Sequence, residues 1–113
     1  MNVNVKRVKI IVTAPPENIE EIRRAMCEAG AGIIGNYSYC SMSTKCIGTS
    51  KPNGKANPYI GENNELVIIE EDKLEVVCNI EIAKKVIKEL RGVHPYEEPA
   101  IDIIPLIDEE DLI

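Results

Sequence analysis

The sequence contains no tryptophan and no phenylalanine, and tyrosine supplies all of its aromatic residues. A hydrophobic core must therefore be built from the aliphatic side chains of isoleucine, valine, leucine and alanine, which pack at close range. Hydrophobic residues make up 44% of the 113 residues. That content suits one core in a chain of single-domain size. We therefore expect residues 1–113 to form one domain.

The sequence also lacks a long apolar run and an excess of basic residues. No apolar stretch approaches the roughly 18 residues that a membrane-spanning helix needs, and the N-terminus lacks the apolar region of a signal peptide. Thirteen Lys and Arg against nineteen Asp and Glu give a formal charge of −6, which repels nucleic-acid phosphates. We therefore expect a cytoplasmic protein with neither a membrane nor a nucleic acid as partner. In that reducing compartment the four cysteines remain free thiols.

The first half of the chain predicts a strand, a helix and a second strand. Residues 5–13 are rich in β-branched side chains, which favour a strand, and Pro16 suits the first turn of a helix. Apolar residues then recur at helical spacing until Gly30, which is typical of a helix end. Alternation across residues 33–44 predicts the second strand.

The second half repeats this order after a long loop. Residues 45–64 are rich in glycine, proline and asparagine, which favour turns. Apolar residues at 65–71 and 73–80 predict two strands joined by a hairpin turn at Glu71 and Asp72. A helix over 81–90 and a strand over 100–106 follow, and residues 107–113 form an acidic tail.

Strand, helix, strand, followed by the same order again, predicts an α+β domain. The arrangement is a ferredoxin-like split β-α-β duplication with an inserted hairpin and a long loop, and both helices cover one face of the sheet. The opposite face of the aliphatic sheet must also be covered from water. An interface with further copies of the chain supplies this cover, which predicts a homo-oligomer; the alternative is that the long loop folds over that face within one chain.

Five short motifs follow one another in an order that resembles a known family. They are Gly30-Ala31-Gly32-Ile33-Ile34-Gly35-Asn36-Tyr37, Cys40-Ser41, Gly48-Thr49, Ala56-Asn57-Pro58-Tyr59-Ile60-Gly61 and His94-Pro95-Tyr96-Glu97-Glu98. The chain resembles the domain inserted in the dinuclear-metal-centre hexameric proteins of the NIF-three-like family, and its free-standing relatives. That domain is similar to the trimeric CutA and PII proteins, so the resemblance implies a CutA/PII-like fold and a trimer.

The resemblance has departures and a limit. Met42 and Ser50 stand where the family usually has phenylalanine, and Cys46 stands where a small or acidic residue is common. The host proteins carry their two metals on a different domain. The resemblance therefore implies a fold and an assembly but no dinuclear metal function.

His94 is the only histidine, so it is the only candidate for a neutral-pH general base or a nitrogen metal ligand. Pro95 favours an extended conformation at His94. Two interpretations of this segment stay open. Glu97 or Glu98 orients the imidazole in a site, or Tyr96 and these carboxylates hold the turn by hydrogen bonds.

The residues leave three classes of function open. The leading hypothesis is a non-catalytic, oligomeric binding or regulatory module of unknown ligand, without a resident cofactor. The resemblance to trimeric regulators implies that the long loop could be a ligand lid, in which case Lys51 and Lys55 would face an anionic ligand. The second is a divalent-metal-binding protein, with zinc or copper on His94, Cys40 and Glu97. The third is a small hydrolase that uses Cys40 or Cys46 with His94. The ligand cleft is predicted to lie between subunits, bounded by the 37–40 strand, the 48–61 loop and the 94–98 segment. The residues predicted to line it are Tyr37, Cys40, Tyr59, His94, Tyr96, Glu97 and Glu98.

Overall fold

Alternate β-branched side chains build the central strand of the sheet. The computed structural model describes residues 4–113, and in it β1 (Arg7–Ala14) turns Val8, Ile10 and Val12 into the core. β1 pairs antiparallel with both of its neighbours, in the sheet order β2-β3-β1-β4. The remaining elements are α1 (Ile19–Glu28), β2 (Met42–Ser50), β3 (Val67–Asn79), α2 (Ile80–Val93) and β4 (Ile101–Leu106), with short 3-10 turns at Pro16–Asn18 and Glu109–Asp111.

The two helices form one layer on one face of the sheet. Ile22 and Met26 of α1 and Leu90 of α2 are fully buried against core residues of the sheet such as Leu74. This is the predicted α+β, ferredoxin-like arrangement, which is confirmed. α2 is longer than the predicted 81–90, because it begins directly after β3 and continues to Val93.

The second strand lies later in the chain than predicted. Residues 33–41 form an irregular segment with one isolated bridge between Ile34 and Tyr37, and β2 begins only at Met42. Gly32, Gly35 and Tyr39 have positive φ angles, which interrupt an extended strand. The alternation over 33–44 therefore did not indicate a pleated strand. Tyr37, which is well exposed, lies outside the sheet.

The predicted hairpin turn at Glu71 and Asp72 is also wrong. These residues lie inside β3, a single strand of 13 residues, where Asp72 pairs with Ala14 on one side and with Lys45 on the other. Pairing on both edges outweighs the weak strand propensity of a charged run. The hairpin that exists joins β2 to β3, and its connection is the segment 51–66. The strand predicted at 100–106 is confirmed by β4.

β3 buries side chains on one face of the sheet in its second half and on the opposite face in its first half. In its second half the even-numbered residues Leu74, Val76 and Cys78 are buried under the helices. In its first half the better-buried side chains are odd-numbered, and among them Glu71 is buried on the opposite face. The β2–β3 hairpin therefore carries a second, separate packing surface, in a molecule with dimensions of 49 × 29 × 23 Å. Within residues 4–113, no helix is long and apolar enough to cross a membrane.

Candidate functional site

A cavity of about 460 Å³ lies on the face of the sheet opposite the helices. Its floor comes from the strands, its roof from the 51–66 segment and one wall from the segment that follows α2. Side chains that bear on its chemistry are Cys46, Lys51, Tyr59, Glu71, Tyr96, Glu97 and Glu98. The volume lies in the range of small-molecule sites.

His94 supports this wall from behind, and its ring is buried, with 8% exposed. The backbone N–H of Tyr96 donates to Nδ1 at 3.1 Å, so Nδ1 carries no proton. Nε2 lies 2.8 Å from the carbonyl oxygen of Thr13 and donates to it. Both ring nitrogens of a neutral imidazole are thus engaged. Burial lowers the pKa of His94, against the opposing effect of the Thr13 hydrogen bond.

Glu71 is the carboxylate at the floor of the cavity, and 7% of it is exposed. The Tyr96 hydroxyl donates to its Oε2 at 2.7 Å. Burial, followed by the neighbouring Glu71, raises the pKa of Tyr96, so the phenol keeps its proton. A side chain at Gly48 would occupy the position of this carboxylate. The close approach therefore requires glycine.

Sequence reasoning missed Glu71, because the acidic run around it was interpreted as a turn. One signal could have found it. Glu71 follows Val67 and Ile69 at strand spacing, which places a carboxylate on an otherwise apolar face. Such a residue needs a partner, and Tyr96 supplies it.

The 51–66 segment is held to the wall by two contacts. The backbone N–H of Asn57 donates to Glu97 Oε1 at 3.0 Å, and the rings of Tyr59 and Tyr96 lie 6.2 Å apart. Glu98 lines the same cavity. Four of the residues predicted for the cleft, Tyr59, Tyr96, Glu97 and Glu98, are thus brought together within one chain.

Tyr37 and Cys40 lie elsewhere. The N–H of Cys40 donates to the carbonyl of Gly32, whose own N–H donates to Val77, each at 2.8 Å. Val77 pairs with Lys9, which is four residues from Thr13, or about 13 Å along the strand. Cys40 is therefore at the opposite end of the sheet from His94.

The distance between Cys40 and His94 removes the residue combinations on which the metal and hydrolase hypotheses were based. His94, Cys40 and Glu97 do not converge, and residues 4–113 hold no group of three or more His, Cys, Asp and Glu placed to bind a metal. Cys46 does line the cavity, but burial and then Glu71 raise the pKa of its thiol, which disfavours the thiolate. No described cysteine thus has the pairing with His94 that nucleophilic catalysis needs.

The sheet order, the two-helix layer and the long β2–β3 hairpin define a CutA-like domain. CutA from Archaeoglobus fulgidus superimposes with a TM-score of 0.65 at 20% identity, over 88% of this chain and 83% of that one. CutA from Synechococcus elongatus gives 0.69 at 14% identity, over 94% and 81%. At these identities the likeness establishes the fold alone.

Closer sequence relatives are longer proteins. The chain is 41% identical over 105 residues to the GTP cyclohydrolase 1 type 2 homolog of Halalkalibacterium halodurans, covering 93% of this chain and 28% of that protein. The Bacillus subtilis homolog is 45% identical over 98 residues, covering 87% and 26%. A solved Bacillus cereus protein related to NIF3 has a TM-score of 0.80 at 36% identity, covering 95% and 28%.

The predicted resemblance to the NIF-three-like proteins is therefore confirmed, and it concerns one segment of them. The chain spans about a quarter of the length of the curated relatives it matches. No family model matches the sequence.

Proposed function

We propose that this chain is a non-catalytic, oligomeric binding module of CutA-like type, with its ligand site in the cavity between the 51–66 segment and the wall 94–98. The observation that carries the proposal is the cavity itself. It has the volume of a small-molecule site, and two tyrosines and a buried carboxylate converge on it.

The state of the titratable groups supports binding over catalysis. His94 has both ring nitrogens engaged in holding the wall to β1, so it acts as a positioning residue. Tyr96 keeps its proton, and its hydroxyl donates to Glu71. The activity in the name of the longer relatives belongs to proteins of which this chain matches a quarter, so the proposal concerns binding.

The outer face of the β2–β3 hairpin supports an oligomer. Ile47, Leu66 and Ile68 are 72%, 64% and 64% exposed. By strand alternation Ile68 lies on the face opposite Glu71, whereas Ile47 also borders the cavity. A group of large, exposed apolar side chains on one hairpin is typical of an interaction site. A second copy of the chain would cover it, and the resemblance to CutA and PII proteins favours a trimer.

Size-exclusion chromatography with light scattering, together with native mass spectrometry, tests this proposal. The protein is purified without added metal. We expect the mass of a homotrimer and a retained small molecule that is released on denaturation. A strict monomer at micromolar concentration would contradict the oligomeric assignment.

A further inference from the structure

One oxygen of the Glu71 carboxylate is hydrogen-bonded to Tyr96, and the other is open to the cavity. Glu71 Oε2 accepts the hydrogen bond from Tyr96, while Oε1 lies over Gly48. None of the side-chain hydrogen bonds or ion pairs found within residues 4–113 involves Oε1. It is also not one of their fully buried side-chain atoms without a partner, which are Asn18 Oδ1, Asp72 Oδ1 and Asp111 Oδ2, so Oε1 is open to the cavity. A carboxylate oxygen that opens to a cavity can accept a hydrogen bond from a bound ligand.

The charges around the cavity are mostly negative. Glu71, Glu97 and Glu98 line it, against the single ammonium group of Lys51. The lysine pair predicted to face an anion is not assembled, because Lys55 does not line the cavity. The local field therefore favours a cation.

The rest of the lining is suited to an apolar or aromatic body. Val67, Ile69 and Pro58 line the cavity beside the rings of Tyr59 and Tyr96, which are inclined to each other by 49°. Tyrosine faces bind both apolar groups and organic cations.

We propose that this cavity binds a small organic cation, a protonated amine on an apolar or aromatic body. Its ammonium group donates to Glu71 Oε1 and its body packs against Tyr59 and Tyr96. This inference rests on the proposed function, in which the cavity is the ligand site, and narrows it to one chemical class of ligand.

Three probes of one shape test the charge requirement on the wild-type chain. They are phenethylamine, which is cationic at neutral pH, 2-phenylethanol, which is neutral, and phenylacetate, which is anionic. Calorimetric titration and ligand-observed NMR measure their binding. We expect phenethylamine to bind at least tenfold more tightly than 2-phenylethanol, because its ammonium group makes a charge-assisted hydrogen bond where the hydroxyl of 2-phenylethanol makes a neutral one. Phenylacetate should bind least.

Two variants test whether Glu71 is the residue that binds the ammonium group. Glu71→Gln keeps the shape and an acceptor for Tyr96, and it should weaken phenethylamine binding about tenfold or more while leaving 2-phenylethanol unchanged. The matched control is Glu70→Gln, since Glu70 is the exposed neighbour on the opposite face of β3. It should bind all three probes as the wild type does. Circular dichroism checks that both variants are folded.

The outcomes separate the two proposals. If 2-phenylethanol or phenylacetate binds as tightly as phenethylamine, the cavity remains a ligand site and the cationic assignment is overturned. If none of the three binds, both are overturned. The wild-type comparison decides between these results even if Glu71→Gln does not fold.

Discussion

At the residue scale, Tyr96 is the side chain that connects the wall of the cavity to its floor. Its backbone N–H donates to His94, its hydroxyl donates to Glu71, and its ring lies 4.8 Å from that of His94. His94 in turn donates to Thr13 of β1. The neutral imidazole is thus part of the scaffold that sets the position of Glu71, which gives it a measurable effect on stability.

We expect the free energy of unfolding to fall as the pH drops below about 6.5. Burial holds the folded-state pKa of His94 below its usual 6.5, so the unfolded chain takes up a proton first. The stabilisation is complete above the unfolded-state pKa and is lost as the pH falls toward the folded-state pKa. The slope is at most about 1.4 kcal/mol per pH unit. Urea unfolding at about pH 7.5 and pH 5.5 measures it.

The matched variant for this measurement is His94→Gln, which has no titratable ring. Its difference in unfolding free energy between the two pH values should be smaller than that of the wild type. Equal differences in the two proteins would show that His94 does not cause the dependence.

At the scale of elements, β3 joins two packing surfaces in one strand. Its second half packs under the helices, and its first half, with β2, forms the floor of the cavity. Gly48 of β2 makes this possible, because only a residue without a side chain leaves room for the Glu71 carboxylate. The floor therefore depends on a close contact between two neighbouring strands.

Gly48→Ala should lower the free energy of unfolding by about 1–3 kcal/mol, because the added methyl group displaces a packed carboxylate. Urea unfolding measures the change. The control is Gly92→Ala, a position in α2 with open space around it, where alanine should raise stability by about 0.5–1 kcal/mol. The prediction fails if Gly48→Ala is as stable as the wild type.

At the scale of the whole molecule, the hairpin of an elongated subunit carries exposed apolar side chains that pack against nothing in the core within residues 4–113. Ile68 lies on its outer face and is 64% exposed. In the proposed oligomer this face is buried between copies of the chain, so a charge placed there would have to be removed from water on assembly.

Ile68→Lys should therefore shift the protein from the oligomer to the monomer, as measured by analytical ultracentrifugation. The matched control is Ile34→Lys, an exposed isoleucine on the irregular segment at the other end of the sheet, which should leave the mass unchanged. An oligomer that persists in Ile68→Lys would exclude this face as the interface.

The sequence by itself determined the class of the fold and the segment on which the site is built. Local periodicity was enough for α1 and α2, and β-branched residues were enough for β1, because these signals act within one element. The order of motifs pointed to the NIF-three-like resemblance. Tyr59, Tyr96, Glu97 and Glu98, which the sequence analysis grouped, lie around one cavity.

Only the tertiary structure decided which residues give the site its chemistry. Asp72 is in a strand because it has neighbours on both edges, and no local pattern shows that. Glu71 became the floor of the cavity because Gly48 lies beside it across the hairpin, whereas Cys40 is held by Gly32 at the far end of the sheet. Contacts between segments that are distant in the sequence set the positions of Glu71 and Cys40. Residue propensities along the chain are too weak to predict such contacts.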